Sequence, residues 1–332
     1  MGKLLQVALC TSDMPRSIRT FVEVLGFSSA GGRPRWGAHA ARLQELPTGD
    51  DTYVMLWWLV GRQKFGGQIE LFHHTSPAQR PRRADWQPSD LGWSRFGIVV
   101  PDFDLTMRRL ESAGFTTMTL PVEVNGYRRV CFREPGAEAI VEIMEEDPAL
   151  PVASAGSFAP QSALAYVSVS VSDLESARRY FGKVFGFTEI EPEALHRPEH
   201  ETLWGLEGAR RRCAVFLAGD VLLEAVQYDT PDPKPPAADS LLSDQGIMNV
   251  AMGYRDRSEV VDTVAAAESA GATTTTGVPD AHGSMYLRIT DGLSIELFLV
   301  PAGLDASYGL EPQELAPPGS VYVPQPSDPP SV

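Results

Sequence analysis

The chain of 332 residues is short of cysteine, of basic charge and of long apolar runs, and each shortage excludes something. Its three cysteines, Cys10, Cys131 and Cys213, are scattered and lack the spacing of a metal cluster. That argues against a disulfide framework and fits a reducing, cytoplasmic compartment. Lysine and arginine number 28 against 43 aspartates and glutamates, a formal net charge of −15. Such a balance repels phosphate backbones and anionic lipid, so neither nucleic acid nor a membrane surface is an expected partner. The longest apolar run, Tyr53–Val60, is far too short to span a bilayer. The N-terminal MGKLLQVALCTSDMPRS reads poorly as a signal peptide, because Gln6 interrupts its short apolar stretch. No nucleophile elbow occurs, so serine or cysteine hydrolysis has no support. What remains is an ordinary globular composition, 43% apolar and 21% charged, at a length that suggests two domains.

The chain repeats itself. LLQVALCTSDMPRSIRTFVEVLGF, from Leu4, and ALAYVSVSVSDLESARRYFGKVFGF, from Ala163, share an apolar strand, Ser-Asp, an amphipathic helix and an apolar-Gly-Phe end. Asp13 stands 13 residues before Gly26, and Asp173 stands 13 before Gly186. Weaker copies run from Arg95 to Phe115 and from Asn249 to Ala272. In the first helix Ile18, Phe21, Val22 and Leu25 make one apolar face, and the aspartates sit where a carboxylate caps free N–H groups. Strand-like runs follow each helix, among them YVMLWWLV, VCF, AVFLA and MYLRI, giving four βαβββ modules in two similar halves. The expected organisation is a first domain over 1–147, a linker over 148–160, a second domain over 161–301 and a proline-rich tail over 302–332. That tail carries seven prolines, and Tyr308 and Tyr322 could lay it on the surface.

Four such modules over roughly residues 4 to 300 resemble the vicinal oxygen chelate superfamily, which includes glyoxalase I, extradiol dioxygenases, fosfomycin- and bleomycin-resistance proteins and methylmalonyl-CoA epimerase. The resemblance implies an α+β fold, with modules paired into two glyoxalase-like cupped barrels. It also implies ligand positions on the first and last strand of each module. The first-strand position, seven residues before the helix-start acid, holds Gln6, Arg95, Tyr166 and Asn249. The last-strand position holds Glu70, Glu142, Glu224 and Glu296. All four glutamates are present, and no histidine occupies a ligand position. This disfavours the two-histidine iron site of an extradiol dioxygenase.

Taken half by half, Arg95 would stand in for a metal's charge beside Glu70 and Glu142, as either a substrate-binding group or a structural ion pair. The second half would offer Tyr166, Glu224, Asn249 and Glu296 for acid–base chemistry, or as scaffold residues. No cofactor is expected; a divalent metal, if any, would sit on Glu224, Asn249 and Glu296. His74 shares a strand face with Glu70 and is a candidate general base, with Tyr228 at the matching place in the second half. His196 and His200 flank Pro198, which favours a loop over a zinc-binding helix. His39 and His200 stand at equivalent places before Leu43 and Trp204, and His282 lies in a turn over a pocket. Trp57 and Trp58 face opposite sides of a strand; Trp57 and Trp204 are taken as pocket-lining. The leading expectation is an isomerase- or lyase-type enzyme moving a proton on a hydrophobic, aromatic or polyketide-like small molecule, with the second half active. The alternatives are a divalent-metal enzyme with an oxygen-rich site and a non-catalytic binder of a toxic compound. The protein would be a monomer or homodimer.

Overall fold

The computed structural model describes residues 2–150 and 162–313. Most of the expected linker, and the tail beyond Gln313 with Tyr322, lie outside these residues. The first module comprises β1 (Lys3–Cys10), α1 (Met14–Arg19), β2 (Ser28–Trp36), an inserted helix α2 (Gly37–Gln44), β3 (Tyr53–Val60) and β4 (Gln68–Ser76). The second comprises β5 (Gly92–Val99), α3 (Phe103–Ser112), β6 (Val122–Val124), β7 (Tyr127–Glu134) and β8 (Ala139–Met144). The third comprises β9 (Ala163–Ser170), α4 (Leu174–Ala177), β10 (Thr188–Ile190), β11 (Arg210–Leu217) and β12 (Leu222–Thr230). The fourth comprises β13 (Gly246–Tyr254), α5 (Arg257–Ser269), β14 (Thr273–Thr274), β15 (Gly283–Arg288) and β16 (Ser294–Leu299).

The helix starts follow the aspartates. Asp13, Asp102 and Asp173 each accept a hydrogen bond from a first-turn backbone N–H, whereas Asp256 makes no such bond. Helices α1 and α4 run on into wider π-helical turns, Thr20–Val24 and Arg178–Val184, and Gly26 and Gly186 follow them at φ 76° and 73°. A left-handed residue there suits glycine, and this is why both helix ends read so clearly in the sequence.

The sheets correct the expected pairing of modules. One eight-stranded sheet runs β14-β15-β16-β13-β1-β4-β3-β2 and the other β10-β11-β12-β9-β5-β8-β7-β6. The first cup therefore joins modules one and four along the antiparallel β1–β13 seam, and the second joins modules two and three along β5–β9. The halves 1–147 and 161–301 each contribute one module to each cup, so neither half is a cup by itself. Two inter-module loops hold this arrangement. The Leu91 N–H donates to the Lys234 carbonyl, Arg80 pairs with Asp244 at 2.7 Å, and Lys234 pairs with Asp85 at 2.7 Å.

The helix-side faces of both sheets close on one core. Phe21, Phe96, Phe181 and Val250, one from each module, belong to a single buried cluster. Burial of this shared apolar surface joins the two sheets into one folding unit. The opposite faces form the cups.

Candidate functional site

Alternation along the strands puts the eight positions singled out in the sequence on the cup faces, but in two new sets of four. The first cup holds Gln6 on β1, Glu70 on β4, Asn249 on β13 and Glu296 on β16. The second holds Arg95 on β5, Glu142 on β8, Tyr166 on β9 and Glu224 on β12. All eight are buried. The expected acid–base set of Tyr166, Glu224, Asn249 and Glu296 is thus divided between cups, as is the metal set of Glu224, Asn249 and Glu296. The expected grouping of Arg95 with Glu70 and Glu142 is corrected as well, since Arg95 Nη2 pairs with Glu224 Oε2 at 2.6 Å.

The second cup is filled by its own side chains. Arg95 lies over the Trp204 ring at 3.6 Å, and Trp204 Nε1 donates to Glu142 at 2.8 Å. The Tyr166 hydroxyl donates to the same Glu142 oxygen at 2.6 Å. A Cβ at Gly97 would stand 2.2 Å from the Tyr166 ring, so this glycine makes the ring's place. His196 reaches Glu224 through Nδ1 at 2.5 Å and Glu201 through Nε2 at 2.7 Å. Tyr228 donates to Glu201 at 3.3 Å. Burial alone would lower the His196 pKa, but the Glu224 charge and hydrogen bonds with Cys213, Glu201 and Glu224 outweigh it and push it up to about 10. Burial would likewise raise Glu224, yet the Arg95 charge and then His196 hold it well below the carboxylate range. This cup already contains the cations that its carboxylates need. His196 and Cys213 stand beside Glu224 in a group with metal-ligand spacing, but a protonated imidazole flanked by Arg95 and Arg211 opposes a further cation.

The first cup lacks such compensation. Gln6 and Asn249 replace the phenol and guanidinium of the second cup, and neutral amides cannot offset two carboxylates. Among the described residues no basic side chain comes within 4.0 Å of Glu70 or Glu296. Trp58 Nε1 donates to Glu70 Oε1 at 2.8 Å. Gln6 Oε1, both polar atoms of the Asn249 amide, the Tyr286 hydroxyl and Glu296 Oε2 are buried without a hydrogen-bond partner. Burial raises both acids. Glu296 is pushed up to about 8, first by burial and then by the Glu70 charge, against the pull of Arg35. Glu70 is raised by burial, opposed by Arg35, Trp58 and Arg33. Glu296 therefore keeps its proton near neutral pH, with burial and then the Glu70 charge as the causes.

The remaining expected residues fall as follows. His74 lies on the first cup's face, stacked on Phe72, but its Nε2 meets Gln44 Oε1 at 2.9 Å and burial pushes its pKa down to about 3. A neutral, tethered imidazole of that kind is a poor base near neutral pH. Of the tryptophan pair, Trp58 faces the cup, while Trp57 packs against the helix-side core and donates to Ser29 at 3.1 Å. A cavity of about 480 Å³ opens at the cup's mouth, lined by Arg33, Arg35, His39, Leu43, His282 and Tyr308 among others. Glu70 and Glu296 lie beyond its lining, each 2% exposed. Sequence reasoning missed Tyr286, Arg33 and Arg35. The signal was available: Tyr286 sits directly opposite Glu296 in MYLRI, and the arginines alternate in RPR on a strand edge.

Residues 163–297 match the family model "Glyoxalase/Bleomycin resistance protein/Dioxygenase superfamily". No curated protein matches the chain in sequence. Among solved structures, a candidate dioxygenase of Bacillus subtilis is similar over 95% of this chain and 91% of its own, with a TM-score of 0.61 at 14% identity. Glyoxalase I of Zea mays is similar over 90% of this chain and 92% of its own, with a TM-score of 0.59 at 15% identity. The chain is thus similar in fold to glyoxalase I along most of its length, and its residues 163–297 are similar to the superfamily's model. Among the described residues no helix is long and apolar enough to cross a membrane.

Proposed function

We propose that this protein is an enzyme of the superfamily whose reaction site is the first cup, where Glu70 and Glu296 move a proton on a small, flat carbonyl compound. The observation that carries the reading is the pair of buried carboxylates with no basic side chain in salt-bridge contact among the described residues, beside amide and phenol atoms that find no hydrogen-bond partner within ordinary geometry. Leaving such groups unpaired is costly, and a ligand that satisfies them recovers the cost. In this reading Glu296 carries the proton, and Glu70, held by Trp58, accepts one. The Tyr286 hydroxyl stands on the strand pair with Glu296 and can donate to an oxyanion that develops on the ligand. Asn249 and Gln6 orient the ligand oxygen. The second cup, with its own cation and ring filling it, serves as scaffold.

The family implies a metal, and the first cup's residues fit one. Glu70, Glu296, Gln6 Oε1 and Asn249 Oδ1 form an all-oxygen set suited to a hard divalent cation such as Mg²⁺ or Mn²⁺. When bound there, such an ion would polarise a ligand carbonyl as a Lewis acid.

Two measurements test the proposal. Mn²⁺ titrated calorimetrically into the chelator-treated protein should bind once per chain, with affinity falling at least about tenfold in Glu70→Gln and Glu296→Gln but not in Glu142→Gln. Loss in Glu142→Gln alone would move the site to the second cup. Solvent deuterium should enter the enolisable carbon of phenylpyruvate, used as a probe and read by NMR. The rate should drop by about a hundredfold or more in Glu296→Gln; equal rates in the two proteins would reject the acid–base role.

A further inference from the structure

The mouth of the first cup carries two arginines that the reaction proposed above does not use. Strand β2 pairs with β3 in a register that sets Arg33 opposite Leu56 and Arg35 opposite Val54. Leu56 and Val54 belong to the cup's apolar lining, and directly opposed residues share a face, so both guanidinium groups face the cup. The Arg33 guanidinium lies 5.3 Å from the Trp58 ring and 5.2 Å from the Tyr308 ring. Burial lowers its pKa, and Arg35 beside it lowers it further. Among the described residues neither arginine has a carboxylate within 4.0 Å, in a protein with an excess of acids. Elsewhere in the chain Arg80, Arg128 and Arg178 each hold two carboxylates. Trp36, 47% exposed, rims the same cavity.

Two like charges on one strand face, Arg33 held by the Tyr308 side chain and neither in salt-bridge contact with a carboxylate among the described residues, form a receptor for a planar oxyanion. We propose that Arg33 and Arg35 bind the carboxylate of a flat organic acid, an aromatic or enoyl compound, whose carbonyl end points toward Glu70 and Glu296. This rests on the first cup being the reaction site and narrows its ligand from a neutral hydrophobe to an anion. Arg35 faces both glutamates from the mouth, so an anion that engages it also withdraws positive charge from above them.

Phenylpyruvate and its methyl ester serve as probes, with binding read by calorimetry. In the wild-type protein the acid should bind at least about tenfold more tightly than the ester. Arg33→Gln and Arg35→Gln should each bring the acid toward the ester's affinity while leaving the ester unchanged, and Arg35→Lys should recover part of the preference. A purely structural role would weaken both probes alike. Equal affinities in the wild type, an undiminished preference in the Arg33→Gln/Arg35→Gln double variant, or no binding of the acid at millimolar concentration would each overturn the inference. The same comparison in Glu296→Gln separates the two proposals: lost deuterium exchange with a retained acid preference supports both, and retained exchange with that preference rejects only the acid–base reading.

Discussion

At the residue scale, the two cups show how two differences at equivalent positions divide one scaffold into two environments. Where the second cup has Arg95 and Tyr166, the first has Asn249 and Gln6, and the glutamates are the same. In the second cup the carboxylates are paired, and Glu224 is held ionised by Arg95 and His196. In the first they are left to desolvation. The Glu296 pKa rises from an ordinary 4.5 to about 8 in the folded protein. The folded state therefore keeps a proton that the unfolded chain releases. The group's contribution is fully present below about pH 4.5 and is lost as pH rises through about 8. Glu296→Gln, which keeps the shape and cannot ionise, should gain stability relative to the wild type across that window. The expected gain is on the order of 2–4 kcal/mol at its alkaline end. Urea denaturation of both proteins at pH 5 and pH 8.5 checks this; a difference that does not grow with pH would contradict the buried-acid assignment.

At the scale of single elements, the sequence was legible wherever a local rule set the structure. The helix starts at Asp13, Asp102 and Asp173 needed only the geometry of an N-cap. Asp256, at the equivalent place, leaves its helix uncapped by a side chain. Asp102→Ala should therefore cost about 1 kcal/mol, while Asp256→Ala should cost a few tenths at most, as read by thermal denaturation. The inserted segments after β2 and β10 were less legible. Leu43 and Trp204 hold equivalent places in the sequence and both fall on short helices, yet they do opposite things. Leu43 of α2 joins the first cup's lining and leaves a cavity at the mouth, whereas Trp204 fills the second cup and pins Glu142. The difference is one of side-chain volume and of an indole N–H within reach of a carboxylate. Residue spacing carries neither quantity.

At the scale of the whole molecule, strand order decides which residues can act together. β1 lies between β13 and β4, and β5 lies between β9 and β8, so each half of the chain exposes a seam strand that the other half covers. The helix-side core draws on all four modules. Residues 1–147 expressed alone should therefore fail to fold cooperatively, and coexpression with residues 148–332 should restore a soluble complex. Circular dichroism melts and size-exclusion chromatography would show it; a sharp, independent melt of 1–147 would contradict the interleaved arrangement.

The four-module repeat and three of the four helix caps were legible in the chain, because each depends on local periodicity or on spacing within one module, whereas the eight cup positions and their lack of histidine came from the resemblance. Which modules share a sheet emerged from the folded chain alone, and with it the grouping of Gln6, Glu70, Asn249 and Glu296 in one cup and the pairing of Arg95 with Glu224 in the other. Pairing between strands some 240 residues apart is settled by the seam and the common core, through burial and hydrogen bonding across the fold, and no local pattern encodes it.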